Sequence, residues 1–268
     1  MTDPVFNERF SAYAESVEKH LAAHTVPTAR VEEAMAYTLS AGGKRIRPVL
    51  ALAVCDMLCG EAERALDYAC AVELIHTYSL IHDDLPCMDN DDVRRGKPSC
   101  HIAYGETIAL LAGDGLLTKA FSLAANGGDP EAIAVIAENA YKMVLGQADE
   151  FVNLDNDISV DNIMEIHECK TAALLIAAAS CGAVAAGADS DALEAVKEFA
   201  LDLGLAFQVR DDLLDADTED SALIQKLGRD GAEKLASELS DKAAAALAGF
   251  ENNTFLLELT ERLLHRDR

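Results

Sequence analysis

The chain has 268 residues, of which 50% are hydrophobic, so it can bury a large core, and we predict one domain over residues 1–268. Its formal net charge of -25 at pH 7 argues against a nucleic acid or an anionic membrane surface as a partner. The seven cysteines form no CxxC pair and follow no secretory signal, which predicts reduced thiols and a cytoplasmic location.

Helical periodicity dominates the chain and strand alternation is nearly absent, which predicts an all-α fold of about ten helices. Early in the chain, Gly42 and Gly43 precede two cations three residues apart, Lys44 and Arg47. A guanidinium binds a diphosphate through two hydrogen bonds, and a lysine binds it as a point charge. The alternative is a surface loop without a ligand, but the chain has only 22 Lys plus Arg, so this concentration favours phosphate binding.

The first of two aspartate clusters, DDLPCMD, extends from Asp83 to Asp89. His76 lies seven residues before Asp83, which is two helical turns, so both side chains are predicted on one face of a helix. Pro86 cannot continue that helix, so the helix should break there and the chain can fold Asp89 back towards the same site.

Two further arginines, Arg94 and Arg95, follow this cluster closely. They are candidates for binding a phosphate group beside the carboxylates. The alternative is charge balance with the aspartates at positions 89, 91 and 92.

The middle of the chain contains a clear turn and a very apolar segment. Asn, two Gly, Asp and Pro follow one another at residues 126–130 and predict a turn. Residues 171–187 are too few and too rich in alanine for a membrane span, so we interpret them as a buried core helix and expect no membrane span.

The second aspartate cluster, DDLLD, extends from Asp211 to Asp215 and continues an apolar stripe of helical period. Buried carboxylates without a partner would cost several kcal/mol, so two such clusters need a cation. Oxygen ligands indicate Mg²⁺, completed by a phosphate-bearing substrate. For either cluster alone, the alternative is a solvated acidic helix end.

Four segments in this order, GGKRIRP, ELIHTYSLIHDDLPCMDNDDVRRGKP, IHECKTAALL and FQVRDDLLD, resemble the trans-isoprenyl diphosphate synthases. The resemblance is strongest to the bacterial farnesyl and geranylgeranyl diphosphate synthases, and it extends from about Phe6 to Asp215 and into the C-terminal helices. It implies a single polyprenyl synthase domain of the isoprenoid-synthase type, with helices around a central cavity, and a homodimer. It also implies Mg²⁺-dependent head-to-tail condensation of isopentenyl diphosphate with an allylic diphosphate, either dimethylallyl or geranyl.

The resemblance also implies a role for each motif residue. The metal ligands would be Asp83, Asp84, Asp89, Asp211, Asp212 and Asp215. Isopentenyl diphosphate would contact Lys44, Arg47, His76 and Arg95, and the allylic substrate would contact Arg94, Lys170, Thr171 and Gln208. The catalytic set would be Asp83, Asp84, Asp89, Arg94, Lys170 and Asp211. The alternatives are a satisfied core histidine at His76 and an ordinary helix start at Lys170 and Thr171.

Tyr78 lies five residues before Asp83, at the depth that a growing prenyl tail would reach. Enzymes resembling farnesyl diphosphate synthases carry an aromatic residue here, whereas geranylgeranyl relatives usually carry a smaller or more flexible one. The resemblance therefore implies a farnesyl product, with a geranylgeranyl product as the alternative. Tyr78 as a plain core aromatic would have no effect on product length.

Three positions depart from the family pattern. Glu150 stands where an aspartate is usual, and Ala172 replaces a glycine. After Asp215 the chain lacks the phosphate-closing lysine of a longer loop, unless Lys226 or Lys234 replaces it. Because of this gap, a second hypothesis stays open: the protein is a catalytically weak paralogue that serves as a regulatory subunit. A third alternative is a terpene cyclase, which would not need Lys44, Arg47 and Arg95, because it binds no second diphosphate.

Overall fold

The computed structural model describes residues 4–153, 158–215 and 221–264, and only the backbone of Asp215. The predicted gap after Asp215 falls on residues 216–220, outside the described residues. The described chain is 82% helical, which confirms the all-α prediction.

Twelve α-helical segments and one short hairpin make up the described residues. The helices are α1 (Pro4–His24), α2 (Arg30–Leu39), α3 (Ile46–Cys59), α4 (Leu66–Asp83), α5 (Cys100–Tyr104), α6 (Glu106–Gly127), α7 (Pro130–Asn153), α8 (Val160–His167), α9 (Ala173–Ala186), α10 (Ser190–Asp215), α11 (Ala222–Ala246) and α12 (Thr254–Leu264). The strands of the hairpin are β1 (Val93–Arg94) and β2 (Lys97–Pro98), and a 3₁₀ turn at Ala62–Ala65 precedes α4. A π-helical turn, Glu168–Ala172, joins α8 and α9 into one continuous helix, so the described chain has eleven helices where the sequence predicts about ten.

The main core is formed where α3, α4 and α9 pack together, flanked by α6, α7 and α10. Most of α9 is buried, because alanine and other small side chains let the neighbouring helices approach it closely. This confirms the prediction of a buried core helix within residues 171–187. A second apolar cluster joins the C-terminal half of α10 to α8, α11 and α12.

Two helices are long and apolar enough to cross a membrane by length and composition alone: α6 and the continuous helix over α8 and α9. In the second, 67% of the apolar window is buried inside the protein, which is typical of a core helix. In α6 the share is 39%, because part of its apolar surface faces outwards.

The predicted turns lie at the ends of helices. α6 ends at Gly127, Gly128 adopts a left-handed conformation with φ of 82°, and α7 begins at Pro130, as predicted for residues 126–130. α4 ends at Asp83, three residues before Pro86, as the proline predicts. The turn between α6 and α7 packs against the start of α4, where the backbone N–H of Asp129 donates to Tyr68 Oη at 3.0 Å, whereas the C-terminal end of α4 lines a cavity.

Candidate active site

Two cavities adjoin at Arg47 and His76, whose side chains line both of them. The first, of about 450 Å³, lies between α4, α7 and the π-helical turn. The second, of about 500 Å³, lies between the loop before α3, the middle of α4 and the hairpin. The protein therefore offers two neighbouring spaces that share two basic side chains.

The acidic side of the first cavity is formed by Asp83 and by the turn that follows α4. The backbone N–H of Asp89 donates to the carbonyl oxygen of Asp83 at 2.9 Å, so the chain folds back as predicted. Burial, with a contribution from the charge of Asp89, raises the pKa of Asp83 to about 6 against the opposing effect of Lys170. Burial also raises the pKa of Asp89. These carboxylates are incompletely neutralised by the protein, which suits a divalent cation.

Asp84 and Arg94, two other predicted site residues, are paired with each other. The Asp84 side chain is buried, and Arg94 Nε donates to its Oδ1 at 2.8 Å. Arg94 Nη2 also donates to Asp91 Oδ2 at 3.1 Å. Of the two adjacent aspartates, Asp83 thus lines the first cavity while Asp84 fixes the hairpin.

The hairpin positions Arg94 and Arg95 through a two-residue turn. Arg95 and Gly96, between β1 and β2, both have positive φ, 53° and 74°, the pattern of a type I′ turn. The Arg95 guanidinium donates to the carbonyl oxygen of Gly42 and lies against Gly43. A Cβ at Gly43 would lie 2.7 Å from Arg95 Nη1 and would displace the guanidinium, and the φ of 139° at Gly43 also favours glycine.

All four residues predicted to bind isopentenyl diphosphate line the second cavity: Lys44, Arg47, His76 and Arg95. Burial, and the nearby charge of Arg95, lower the pKa of Arg47, although Glu73 opposes the shift. Burial and the charge of Arg47 hold the pKa of His76 well below its usual value, so His76 is neutral near pH 7. Within the described residues, the buried Nε of Arg47 has no hydrogen-bond partner. A crowded set of cations with an unsatisfied donor suits an anion such as a diphosphate.

Arg45 and Glu73 support this cavity and were missed by the sequence analysis. Buried Arg45 has φ of 50° and donates to Glu18 Oε1 and Glu73 Oε1, both at 2.6 Å. Arg45 stands in the GGKRIRP motif itself, and Glu73 is an acidic residue in an apolar helical run. An arginine in this motif and a glutamate in an apolar helical run each indicate a buried ion pair, but the sequence does not show that Arg45 and Glu73 pair with each other.

The π-helical turn carries Lys170 and Thr171 to the wall of the first cavity. Lys170 forms an ion pair with Glu150, the residue that departs from the family pattern. Two glycines admit the widened turn: a Cβ at Gly146 would lie 2.7 Å from the backbone N of Lys170, and one at Gly204 would lie 2.5 Å from the Cβ of Ala172. Ala172, the other departure, is therefore packed tightly against α10.

The second aspartate cluster is connected to this wall by hydrogen bonds. Thr171 Oγ1 donates to Gln208 Oε1 at 2.8 Å, and Gln208 Nε2 donates to Asp212 Oδ1 at 3.2 Å. Ser221 Oγ, which also caps α11, donates to Asp212 Oδ2 at 3.1 Å. Asp211 is half-buried beside it, and the side chain of Asp215 lies outside the described residues. The network joins Asp212 to a residue of the cavity wall.

The candidate replacements for the missing loop lysine both lie on α11. Lys234 is exposed, and its Nζ lies 3.5 Å from Glu238 Oε1. Lys226 follows the first turn of the helix. Neither lines the two cavities described above.

Tyr78 forms part of the apolar wall of the first cavity. Its side chain is buried, and its ring meets the His82 ring edge-on with centroids 5.7 Å apart. The rest of the apolar wall comes from Leu80, Met88, Met143, Val144, Ala148 and Phe151. A hydrocarbon chain that entered beside Asp83 would therefore run along the Tyr78 ring.

These features define a helical protein with an apolar-walled cavity that Asp83 borders, next to an adjoining pocket lined by cations. The polyprenyl synthetase family model matches residues 28–261, and the chain belongs to this family. It is thus a prenyltransferase of the trans-prenyl diphosphate synthase class, its substrates are isoprenyl diphosphates, and the family uses a divalent metal.

Curated relatives include synthases of two product lengths. The chain is 40% identical to the farnesyl diphosphate synthase of Geobacillus stearothermophilus over 269 residues, covering 96% of this chain and 89% of that protein. It is 41% identical to the heterodimeric geranylgeranyl pyrophosphate synthase large subunit 1 of Arabidopsis thaliana, covering 88% of this chain and 72% of that protein.

Solved structures confirm the isoprenoid-synthase fold. A geranyltranstransferase from Thermotoga maritima superposes with a TM-score of 0.87 at 39% identity, covering 96% of this chain and 99% of that one. A polyprenyl synthase from Caulobacter crescentus, complexed with calcium and isoprenyl diphosphate, has a TM-score of 0.87 at 26% identity, covering 97% and 98%.

Proposed function

We propose that this protein is a farnesyl diphosphate synthase, which condenses isopentenyl diphosphate head-to-tail with dimethylallyl and then geranyl diphosphate. The observation that carries the proposal is the pair of cavities that adjoin at Arg47 and His76. Asp83 borders one cavity, and Lys44 and Arg95 border the other, so two diphosphates can be held apart while their hydrocarbon parts meet.

The second cavity is the proposed site for isopentenyl diphosphate. Its cations, Lys44, Arg47 and Arg95, would neutralise the diphosphate, and the unsatisfied Arg47 Nε would gain an acceptor. Neutral His76 adds a hydrogen-bonding group without adding charge. Arg45 and Glu73 are positioning residues, because they hold the loop before α3 in its left-handed turn.

The first cavity is the proposed site for the allylic substrate, with Mg²⁺ held by Asp83, Asp84, Asp89, Asp211, Asp212 and Asp215. When bound, Mg²⁺ stabilises the negative charge that develops on the departing diphosphate. Lys170 would contact that diphosphate from the π-helical turn. Arg94 and Asp84 neutralise each other without substrate, so we propose that Arg94 exchanges Asp84 for the diphosphate on binding.

Cleavage of the allylic C–O bond leaves a carbocation, which the isopentenyl double bond attacks, and a proton then leaves the new product for the released diphosphate. No protein nucleophile is needed. Thr171 and Gln208 present fixed dipoles near the cation, and their mutual hydrogen bond orients them. The apolar wall around Tyr78 and Met143 excludes water that would otherwise quench the cation.

Product length is the finer part of the proposal, and Tyr78 supports a farnesyl product. The Tyr78→Ala variant should make longer products, because removal of the ring leaves space for further isoprene units. Ser79→Ala is the matched control, since Ser79 lines the same cavity but loses only a hydroxyl. An active Tyr78→Ala enzyme with an unchanged product spectrum would contradict the role of Tyr78. The second candidate is a twenty-carbon product from the wild type, which the similarity to geranylgeranyl pyrophosphate synthases supports.

The activity itself is tested by incorporation of radiolabelled isopentenyl diphosphate with Mg²⁺ and dimethylallyl, geranyl or farnesyl diphosphate in turn. We expect turnover with the first two and a fifteen-carbon product. Binding of both substrates without turnover would instead identify a catalytically weak regulatory subunit. Release of a hydrocarbon without isopentenyl diphosphate would identify a cyclase.

We further propose one polyprenyl synthase domain over residues 1–268, a homodimer and a cytoplasmic location. The family match over residues 28–261 supports the single domain, and the seven free cysteines support a reducing compartment. Exposed apolar side chains on α6 and α7 support the dimer: Leu110, Leu111, Tyr141, Val144 and Leu145. Such a patch is typical of a protein–protein interface.

A further inference from the structure

Two histidines and an aspartate meet at the end of α4 that is farthest from the acidic cluster. His20 and His24 lie four residues apart near the end of α1, so both rings project from one face, with centroids 4.3 Å apart. Asp67, in the first turn of α4, reaches the same point. One ligand atom from each residue lies within 4.8 Å of the other two.

The hydrogen bond of His24 leaves its other ring nitrogen available to a metal, whereas the one between His20 and Asp67 would have to open. His24 Nδ1 lies 2.9 Å from the carbonyl oxygen of His20, which can only accept, so Nδ1 carries the proton and Nε2 keeps its lone pair. His20 Nε2 donates to Asp67 Oδ1 at 2.7 Å, so a metal ion that binds both atoms would replace this proton, which is released to solvent. All three residues are only partly buried, so an ion can reach them from solvent.

We propose that His20, His24 and Asp67 form a binding site for a divalent first-row transition metal, for which zinc is the representative ion. Imidazole nitrogens favour zinc over Mg²⁺, and two histidines with one carboxylate leave a fourth position for water. Two ligands of one tetrahedral zinc ion, each about 2.0–2.1 Å from it, lie roughly 3.3 Å apart. The present separations extend up to 4.8 Å, so side-chain rotations would accompany binding.

This site is separate from the proposed Mg²⁺ site. Asp67 and Asp83 lie in one helix, sixteen residues or roughly 24 Å apart along its axis. A bound zinc ion would link the end of α1 to the start of α4. Because it binds the folded chain, it should stabilise the protein by mass action without taking part in prenyl transfer.

The test is zinc binding to the full-length protein after removal of metals with a chelator. Titration calorimetry is done in excess Mg²⁺, which occupies the carboxylate clusters, and thermal unfolding is followed with and without zinc chloride. We expect one tight zinc ion per chain and a rise of several degrees in the unfolding midpoint. In His24→Ala and Asp67→Asn, the affinity should fall tenfold or more and the rise should disappear.

Lys19→Ala is the matched control, because this exposed residue lies beside His20 on α1 but contributes no ligand atom to the group. It should bind zinc like the wild type. If His24→Ala keeps wild-type zinc affinity, or if the wild type binds no zinc in excess Mg²⁺, the proposal is overturned. His20 and Asp67 would then form only a hydrogen bond between two helices.

Discussion

Asp83 and Arg47 are ionisable side chains whose pKa values are shifted towards the neutral form by burial. Neither has an opposite charge close enough to cancel that shift. Each therefore lowers the stability of the ligand-free fold and gains from an added ion, Asp83 from a cation and Arg47 from an anion. This arrangement is typical of functional sites, where stability is lost in favour of binding.

Replacing Asp83 with asparagine should stabilise the metal-free protein and abolish turnover. The pKa of Asp83 is about 6 in the folded chain and about 3.9 when unfolded, so the folded state holds the proton to higher pH. Stability therefore falls as the pH rises through this window, by up to about 3 kcal/mol, and stays low above it. Unfolding midpoints in a chelator from pH 4 to pH 8 measure the difference between wild type and Asp83→Asn.

The exposed Asp92 supplies the control for this experiment, since Asp92→Asn removes the same charge from the same loop without altering the first cavity. The wild type and Asp92→Asn should show the same pH dependence, while Asp83→Asn should lack the fall between about pH 4 and pH 6. Parallel profiles for the wild type and Asp83→Asn would show that burial does not perturb this carboxyl group.

At the residue scale, the sequence predicts which side chains meet better than it predicts how they pair. Lys44, Arg47, His76 and Arg95 were predicted together because their motifs resemble those of a known family, and all four line the second cavity. The contact of Asp84 with Arg94 was not predicted. Whether Asp83 or Asp84 faces the cavity depends on where the hairpin packs, because Arg94 of the hairpin pairs with Asp84. This packing is a tertiary contact, which the local sequence does not show.

The π-helical turn at Glu168–Ala172 is the element that shapes one wall of the first cavity. The wider turn moves Lys170 towards Glu150 and exposes Thr171 to the first cavity. It fits only because α7 and α10 present glycines, Gly146 and Gly204, where they cross it. π-Helical turns inside α-helices are frequent at functional sites.

Gly146→Ala should therefore displace this turn and impair both stability and turnover. The new Cβ would lie 2.7 Å from the Cβ of Cys169 and from the backbone N of Lys170, so α7 must shift. Overpacking of this kind costs about 1–3 kcal/mol, and the displacement of Lys170 should raise KM for the allylic diphosphate. Thermal unfolding and steady-state kinetics measure the two effects.

Gly249→Ala is the matched control, because a Cβ there meets nothing within 4 Å. It should leave the unfolding midpoint and KM close to wild-type values. If Gly146→Ala behaves like this control, the close approach of α7 to the π-helical turn affects neither stability nor substrate binding.

Elements were predicted where their signals are local. Pro86 and the turn at residues 126–130 fixed helix ends correctly. The hairpin was missed, because two strands of two residues are too short to show alternation. α10 begins at Ser190 and is capped by Asp189, whose Oδ1 accepts from the backbone N–H of Ala192. The π-helical turn could not be predicted, because its apolar residues show no spacing that distinguishes it from an α-helix.

At the scale of the whole molecule, the all-α fold was predictable because strand alternation is nearly absent. α2, α7, α8 and α12 carry apolar residues on one face, while the core helices α3, α4 and α9 are apolar on all sides over 14 to 18 residues. The exposed apolar face of α6 and α7 was not predictable from the sequence. Leu111 and Tyr141 are indistinguishable in sequence from core residues of the same helices, and only packing shows that they remain outside. That face is the surface on which the proposed homodimer depends.

Tyr141→Glu should convert the proposed homodimer into monomers. Tyr141 is 64% exposed near the middle of the face, and a carboxylate from each subunit at such an interface would lose its water without gaining a partner. Val26→Glu is the matched control, because Val26 is also 64% exposed but lies in the loop between α1 and α2 and is not part of the α6–α7 face. Light scattering after size-exclusion chromatography at micromolar concentration should give the 28.6 kDa chain mass for Tyr141→Glu and twice that for the wild type and control. A monomeric wild type, or a Tyr141→Glu variant that remains dimeric, would show that this face is not the interface.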